Sequence, residues 1–318
     1  DYKTITVDVH GNNDAAKITG DISGNVTEDG AVLAKGKLNV ADVDTGEAVF
    51  QSPSSLAGTY GNFTFDAAKG DWTYALDNSA ANVQALNGTA LVHDSLTVKS
   101  FDGTDSKTIT IDVHGTNDDA TITASGAEDT AVKEDGGVAN ATKNDPRASG
   151  QLTVHDVDSG ENHFQTPGSL AGNYGNFTFN SANGVWGYTL DQSKADPLTD
   201  GQVVHDKLLV KSFDGTASQT IDVTITGTND APVANGDAAS ATEAGGVANS
   251  IHGVNPTGNV LSNDTDPDSG DSKTVTTTGS FTGAHGMLTL GANGSYSYTV
   301  NNTDTAVEAL HASSDTLT

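Results

Sequence analysis

The stretch FDGTDSKTITIDVHGTND at 101–118 returns as FDGTASQTIDVTITGTND at 213–230, and the tail of the same motif, DYKTITVDVHGNND, stands at 1–14. The period is about a hundred residues, far longer than a helical or leucine-rich solenoid repeat. A unit of that size can bury its own core, so the chain is expected to be a string of domains.

The register can be followed between copies. Asn13-Asp14 recurs as Asn117-Asp118 and Asn229-Asp230; Asp42-Val43-Asp44 recurs as Asp156-Val157-Asp158 and, altered, as Asp266-Pro267-Asp268. The run YGNFTF at 60–65 returns at 174–179, Trp72 returns as Trp186, and Leu76-Asp77 as Leu190-Asp191. A third unit keeps only a looser version, with GSYSYTV at 294–300 in place of the tryptophan strand. The second copy carries an insertion between Glu134 and Gly150, rich in Gly, Asn and Lys, which belongs in a surface loop. The expected division is a terminal strand of a preceding repeat at 1–12, repeats at 13–117 and 118–229, and a partial or divergent repeat at 230–318. The chain begins inside a repeat and stops at Thr318, which aligns with Thr97, so it reads as a piece of a longer array.

Strand signals dominate. Thr4 to Val9, Lys37 to Val40, Asn62 to Phe65, Trp72 to Leu76 and Ser95 to Lys99 alternate or are rich in β-branched and aromatic residues. Turn clusters such as Glu28-Asp29-Gly30, Asp44-Thr45-Gly46 and Asp102-Gly103-Thr104 separate them. The expected fold is all-β: tandem antiparallel β-sandwich domains of the Ig/cadherin-like kind, arranged end to end. One short helical turn is expected at Ala80 to Leu86, with a counterpart at Ala306 to Leu310. Trp72, Tyr74, Phe63 and Phe65 fall at alternating strand positions and are read as core rather than as a carbohydrate-stacking platform.

Forty-two acidic against 14 basic residues leave a formal charge of −28. That excludes nucleic acid, whose phosphates demand cationic contacts, and disfavours anionic membrane surfaces. No apolar run approaches the length of a membrane span, so no membrane insertion is expected of this segment. There is no cysteine, hence no disulfide to brace small domains.

The acids are organised. Each unit carries an Asn-Asp at its boundary, then a Glu in or near the first strand (Glu28, Glu134, and Glu243 in Thr-Glu-Ala-Gly), then an Asp-x-Asp pair (Asp42/Asp44, Asp156/Asp158, Asp266/Asp268). In the first two units an Asp-Gly-Thr precedes the last strand (Asp102, Asp214). Calcium takes six to eight hard oxygen ligands in flexible geometry, and Asp-x-Asp on a loop with a nearby glycine can turn two carboxylates onto one ion. In a sandwich, the loop bearing Asp156 and Asp158 and the hairpin bearing Asp214 lie at one end, where Asn117 and Asp118 enter and Glu28 of the preceding unit arrives. Glu134 lies at the opposite end and faces Asn229 and Asp230. Asn13, Asp14, Asp42, Asp44 and Asp102 form the corresponding set for the first unit. Any one of these motifs alone is equally an ordinary Asx turn; their recurrence at matched ends favours calcium. His10 recurs as His114 and His93 as His205; with no further ligands at zinc spacing they are read as strand-end residues.

With GTND, VTEDG, DVDSGE, YGNFTF, the WxY strand and SFDGT in place, the chain resembles VCBS repeats, the cadherin-like extender domains of giant bacterial RTX-type adhesins. The resemblance is strongest in the first two units. In the third, NVLSNDTDPDSGD is similar to related bacterial cadherin-like domains. It implies Ca2+ at the domain junctions, an extracellular position at the bacterial cell surface, and secretion by a type I system. It also implies that the partners are adjacent repeats of the same chain, with a host-cell or matrix ligand bound through other domains. The competing class is a module that itself binds a glycan or another copy of the chain. No nucleophile–base pairing stands out and no phosphate loop is present, so an enzyme is not expected.

Overall fold

The computed structural model describes residues 2–136, 143–245, 251–311 and 315–318. Strands β1 (Lys17–Gly20), β2 (Ser23–Thr27), β3 (Leu33–Ala41), β4 (Gly61–Phe65) and β5 (Asp71–Leu76) are followed by a single helical turn, α1 (Ala81–Gln84), and by β6 (Leu91–Lys99) and β7 (Ser106–His114). One sheet has the order β1-β3-β5-β4 and the other β2-β7-β6. The second copy repeats this plan with β8 (Thr121–Ala124), β9 (Ala131–Lys133), β10 (Arg147–His155), β11 (Gly175–Phe179), β12 (Val185–Leu190), α2 (Gln192–Ala195), β13 (Val203–Lys211) and β14 (Ser218–Thr226). Its sheets run β8-β10-β12-β11 and β9-β14-β13.

The sandwiches are not wholly antiparallel. β2 pairs parallel with β7, Ser23 opposite Thr110 through Thr27 opposite His114, and β9 pairs parallel with β14. The first strand is thus split. Its first half, β1, joins one sheet antiparallel to β3; its second half crosses to the last strand of the other sheet. The backbone N–H of Glu28 continues the pairing onto the carbonyl of His114, and that of Glu134 onto Thr226.

Each sandwich has a separate core, with Trp72 or Trp186 at its centre and both 1 % exposed. Phe63, Trp72 and Tyr74 are buried, as alternation in β4 and β5 requires. A Cβ at Gly36 would lie 2.4 Å from the Trp72 ring, so glycine in β3 makes room for the indole. The helical turn expected at 80–86 is the four-residue α1, which buries Val83 and packs Leu86 below it. Its counterpart in the third unit is a turn at 305–309 that buries Val307.

A buried carboxylate ties the strands together in both copies. Asp94 accepts from the N–H of Thr59 (2.7 Å), the N–H of Tyr60 (2.9 Å) and the Tyr74 hydroxyl (2.6 Å). Asp206 accepts from Asn173, Tyr174 and Gly175 N–H and from the Tyr188 hydroxyl at 2.7 Å. Burial and the adjoining carboxylate push both tyrosine hydroxyls far above their ordinary range, so they remain donors.

Two expectations change, and a third lies partly outside the described residues. The Thr4 to Val9 segment joins no ladder, and Ile5, Val7 and Val9 are exposed. Its counterpart in β7 is held between β2 and β6, and a strand without such neighbours has no backbone partners. His93 and His205 lie inside β6 and β13 rather than at strand ends, where each faces an aspartate of the neighbouring strand, Asp112 or Asp222, at 2.8 Å. The insertion of the second copy falls partly at 137–142, outside the described residues.

The third unit contains β15 (Thr257–Asn259), β16 (Gly279–Thr282), β17 (Gly286–Leu290) and β18 (Ser295–Val300) in one sheet ordered β15-β18-β17-β16. Among the described residues no second sheet faces it, and Val300 and Val307 are its buried apolar side chains.

Two outcomes follow from this distribution of burial. Asp94→Ala leaves the buried Tyr74 hydroxyl and the part-buried N–H groups of Thr59 and Tyr60 without their acceptor, and is expected to cost about 2 kcal/mol in urea unfolding of the first sandwich; a cost under about 0.5 kcal/mol would show that water replaces the carboxylate. Amides of β15 to β18 are expected to exchange with solvent faster than those of β10 to β14, because their local opening exposes little apolar surface. Equal protection in dilute solution would mean that the third unit has a core beyond these residues.

Candidate metal centres

The parallel pairing decides where the acids meet. Glu28 sits one residue beyond β2, beside the end of β7, where the chain leaves for the next sandwich. Its Oε2 accepts the N–H of Thr116 at 3.2 Å, and the Thr116 hydroxyl returns a bond to the Glu28 carbonyl at 2.7 Å. In the second copy Thr228 makes the same pair of contacts with Glu134, at 3.1 and 3.0 Å.

The linker then docks on the Asp-x-Asp loop of the following unit. Asp118 N–H donates to Asp158 Oδ2 (2.9 Å), Asp158 N–H to Asp156 Oδ1 (2.9 Å), and Asn117 Nδ2 to Asp214 Oδ2 (3.2 Å). The first unit repeats this with Asp14 on Asp44 (2.8 Å), Asp44 on Asp42 (2.9 Å) and Asn13 on Asp102 (3.0 Å). The third does so with Asp230 on Asp268 (2.7 Å) and Asp268 on Asp266 (3.1 Å), while Asn229 Nδ2 donates to the Asp230 carbonyl at 2.7 Å. One further backbone bond crosses each junction: Ser159 N–H to Ala85 O, and Ser269 N–H to Pro197 O, both 3.1 Å.

The residues named from the sequence therefore fall into three groups. Asn13, Asp14, Asp42, Asp44 and Asp102 lie at the entry of the first sandwich. Glu28, Asn117, Asp118, Asp156, Asp158 and Asp214 lie at the first junction, and Glu134, Asn229, Asp230, Asp266 and Asp268 at the second. Three acids were not named. Glu47 and Glu161 each follow an Asp-x-Asp-x-Gly run and complete clusters with Asp42/Asp102 and Asp156/Asp214 whose ligand atoms lie within 4.8 Å of one another. Their signal was the shared Gly-Glu after each loop. Asp196 joins Glu134 and Asp230 in a third such cluster; its counterpart in the first sandwich is a glutamine, so recurrence could not reveal it.

The electrostatics are one-sided. Glu28, Asp156, Asp158 and Glu161 are buried, and no ion pair among the described residues reaches them. Burial first, then Asp118, Asp29 and Asp158, raise the Glu28 carboxyl against the lowering effect of the Thr116 N–H. Burial and Asp158 raise Asp118; burial and Asp156 raise Asp158; burial and Asp158 raise Glu161. Glu134 is pushed up to about 7, by burial first and then by Asp230, Asp196 and Asp268. Asp102 is held low by hydrogen bonds from Ser100, Thr104 and Asn13. At Asp214, burial pushes upward but the bonds from Ser212, Thr216 and Asn117 outweigh it.

Glu28 Oε1, Asp118 Oδ2, Asp156 Oδ2, Asp158 Oδ1 and Glu161 Oε2 are buried without a hydrogen-bond partner. Orphaned buried carboxylate oxygens of this kind are costly unless paired or bound to metal. An all-oxygen donor set of this charge fits a hard divalent cation of the calcium class.

A family model described as the bacterial cadherin-like domain matches residues 13–115 and 229–318, more than half of the chain. The chain belongs to this family. The middle sandwich lies outside both matched segments. Members of the family commonly bind calcium and serve adhesion and extension. Among solved structures, the protocadherin gamma B4 extracellular domain is 16 % identical, with 90 % of this chain and 43 % of that chain covered and a TM-score of 0.33. Domains 1–5 of protocadherin gamma B2 are 15 % identical, covering 90 % and 52 % with a TM-score of 0.36. Mouse cadherin-23 EC22-24 is 14 % identical, covering 91 % and 89 % with a TM-score of 0.35. The chain spans about half the length of the two protocadherins. No curated protein matches it. Among the described residues no helix is long and apolar enough to cross a membrane.

Glu134 is expected to make the chain sensitive to pH when no cation is bound. Its carboxyl rises from 4.5 to about 7 in the fold, so the stability it confers is complete below 4.5 and is lost as pH rises through about 7. In chelator, the second sandwich is expected to melt higher at about pH 5.5 than at about pH 8, a window above that in which Asp102 and Asp214 titrate. Calorimetry in chelator showing stability rising with pH would contradict this assignment.

Proposed function

We propose that this chain is a calcium-stiffened extender of a bacterial surface adhesin of the RTX type, secreted by a type I system. It holds a distal binding domain away from the cell for adhesion or biofilm formation. The units are 13–117, 118–229 and 230–318, with 1–12 completing a preceding repeat, and the immediate partners are the neighbouring repeats. A host-cell or matrix ligand is left to other domains.

The observation that carries this reading is the set of unpartnered buried carboxylate oxygens drawn from both sides of one junction: Glu28 from the first sandwich, Asp118 from the linker, Asp156 and Asp158 from the second. Without a cation these groups repel, and a single backbone bond from Ser159 to Ala85 does little to fix the angle between sandwiches. A divalent ion turns the repulsion into shared coordination and joins three segments of chain. The glycan-binding alternative is weaker here, because both tryptophans are 1 % exposed and offer no stacking face.

X-ray scattering is expected to give a larger maximum dimension in calcium than in chelator, since each sandwich adds on the order of 33 Å along its strands once the junctions lock. Identical dimensions would sink the rod. Calcium at a hundredfold excess over its Kd is expected to add about 2.7 kcal/mol per site. Asp156→Ala with Asp158→Ala is expected to remove most of that increment from the second sandwich; an undiminished calcium-induced melting shift would make these residues plain turn formers.

A further inference from the structure

The two junctions are not copies of each other. α1 and α2 occupy equivalent places: Val83 and Ala195 are fully buried, and Leu86 and Leu198 pack beneath them. The carbonyls of Ala85 and Pro197 receive the matching cross-junction bonds from Ser159 and Ser269. The residue just before each carbonyl is therefore equivalent too, and it is Gln84 in one copy and Asp196 in the other.

Their surroundings differ. The Gln84 amide donates to the Asn78 carbonyl (3.0 Å) and to Asp29 Oδ1 (3.4 Å), which Asn78 also holds at 2.6 Å. The first junction thus closes this place with a neutral, satisfied amide. In the second, the counterpart of Asp29 is Asp135, whose Oδ1 accepts the N–H of Asn144 from the inserted segment at 2.6 Å. Asn144 also donates to the Glu134 carbonyl at 2.6 Å. With Asp135 so engaged, the Asp196 carboxylate stands with those of Glu134 and Asp230, one oxygen of each within 4.8 Å of the others.

An acidic cluster alone would say little. Here Glu134 is 0 % exposed and its Oε1 has no hydrogen-bond partner, so a buried carboxylate oxygen is left for a ligand. Two oxygens on one calcium ion stand at most about 5 Å apart, which the 4.8 Å spread satisfies. At the first junction the comparable triad, Asp156, Glu161 and Asp214, belongs wholly to the following sandwich. At the second, Glu134 and Asp196 come from the preceding sandwich and Asp230 from the linker.

We propose that Asp196 creates a divalent-cation clip at the second junction that the first junction lacks, one that fastens the linker to the preceding sandwich. The two junctions then bind calcium-class cations with different affinity, and the array stiffens one joint before the other. This rests on reading the junctions as cation sites. Affinity in oxygen-ligand sites follows ligand charge, so loss of one carboxylate weakens the site by about tenfold or more.

The test is a calcium titration of the full chain followed by hydrogen exchange, which reads the two junctions separately through peptides around Glu28/Thr116 and Glu134/Thr228. In Asp196→Asn, the calcium midpoint for protection at the second junction is expected to rise about tenfold while that at the first stays put. In chelator the variant is expected to melt no lower than the parent, since it removes a charge from a repelling cluster, and this separates ligand loss from misfolding. Gln84→Asp is expected to tighten the first junction. If calcium protects both junctions in the parent but Asp196→Asn leaves the second midpoint unchanged, the clip is overturned and the extender reading survives. If calcium protects neither junction in the parent, both fall together.

Discussion

The parallel pairing of β2 with β7, and of β9 with β14, is the constraint on which the rest of the molecule depends. A purely antiparallel first strand would end on the sheet it started in. Splitting it carries its second half to the last strand, in the same direction, so that the Glu after it and the linker after the last strand leave the sandwich side by side. Each threonine of GTND then binds the glutamate at both carbonyl and carboxylate. The next Asn-Asp is delivered onto the following Asp-x-Asp loop by the same geometry.

The chain handles buried carboxylates in two opposite ways. Asp94 and Asp206, inside the sandwiches, are saturated by backbone N–H groups and a tyrosine hydroxyl. Satisfied in this manner, a buried charge acts as a strand staple. A Cβ at Gly58 or Gly172 would fall 2.2 or 2.1 Å from these carboxylates, so glycine is needed where the loop closes on them. At the junctions, Glu28, Glu134, Asp156 and Asp158 are just as buried and each keeps an oxygen with no donor. The contrast lies within one chain, so the orphaned oxygens reflect the junction and not a general looseness of packing.

Stability is distributed unevenly along the array. The first two units each close two sheets on a tryptophan-centred core; among the described residues the third presents one sheet with little buried apolar surface. The family match nevertheless falls on the first and third units and passes over the middle one.

Recurrence and alternation were enough, in the sequence itself, to reveal the tandem β-sandwich plan, the aromatic core positions of β4 and β5, the short helical turn, and the acids that appear in more than one copy except Glu47 and Glu161. Those features are local: period-two burial and turn chemistry act within a few residues. Tertiary structure alone decided the rest. Whether Thr4 to Val9 is a strand depends on neighbours that supply its hydrogen bonds, and nothing in its own pattern can provide them. The parallel half-strand is invisible to alternation, which is the same for either direction of pairing. Asp196 has no counterpart to flag it, and it gains meaning only because Asn144 engages Asp135 and Glu134 is buried beside it. Which carboxylates share a site is set by long-range register and by what else has already claimed their lone pairs, and neither is written in any one stretch of residues.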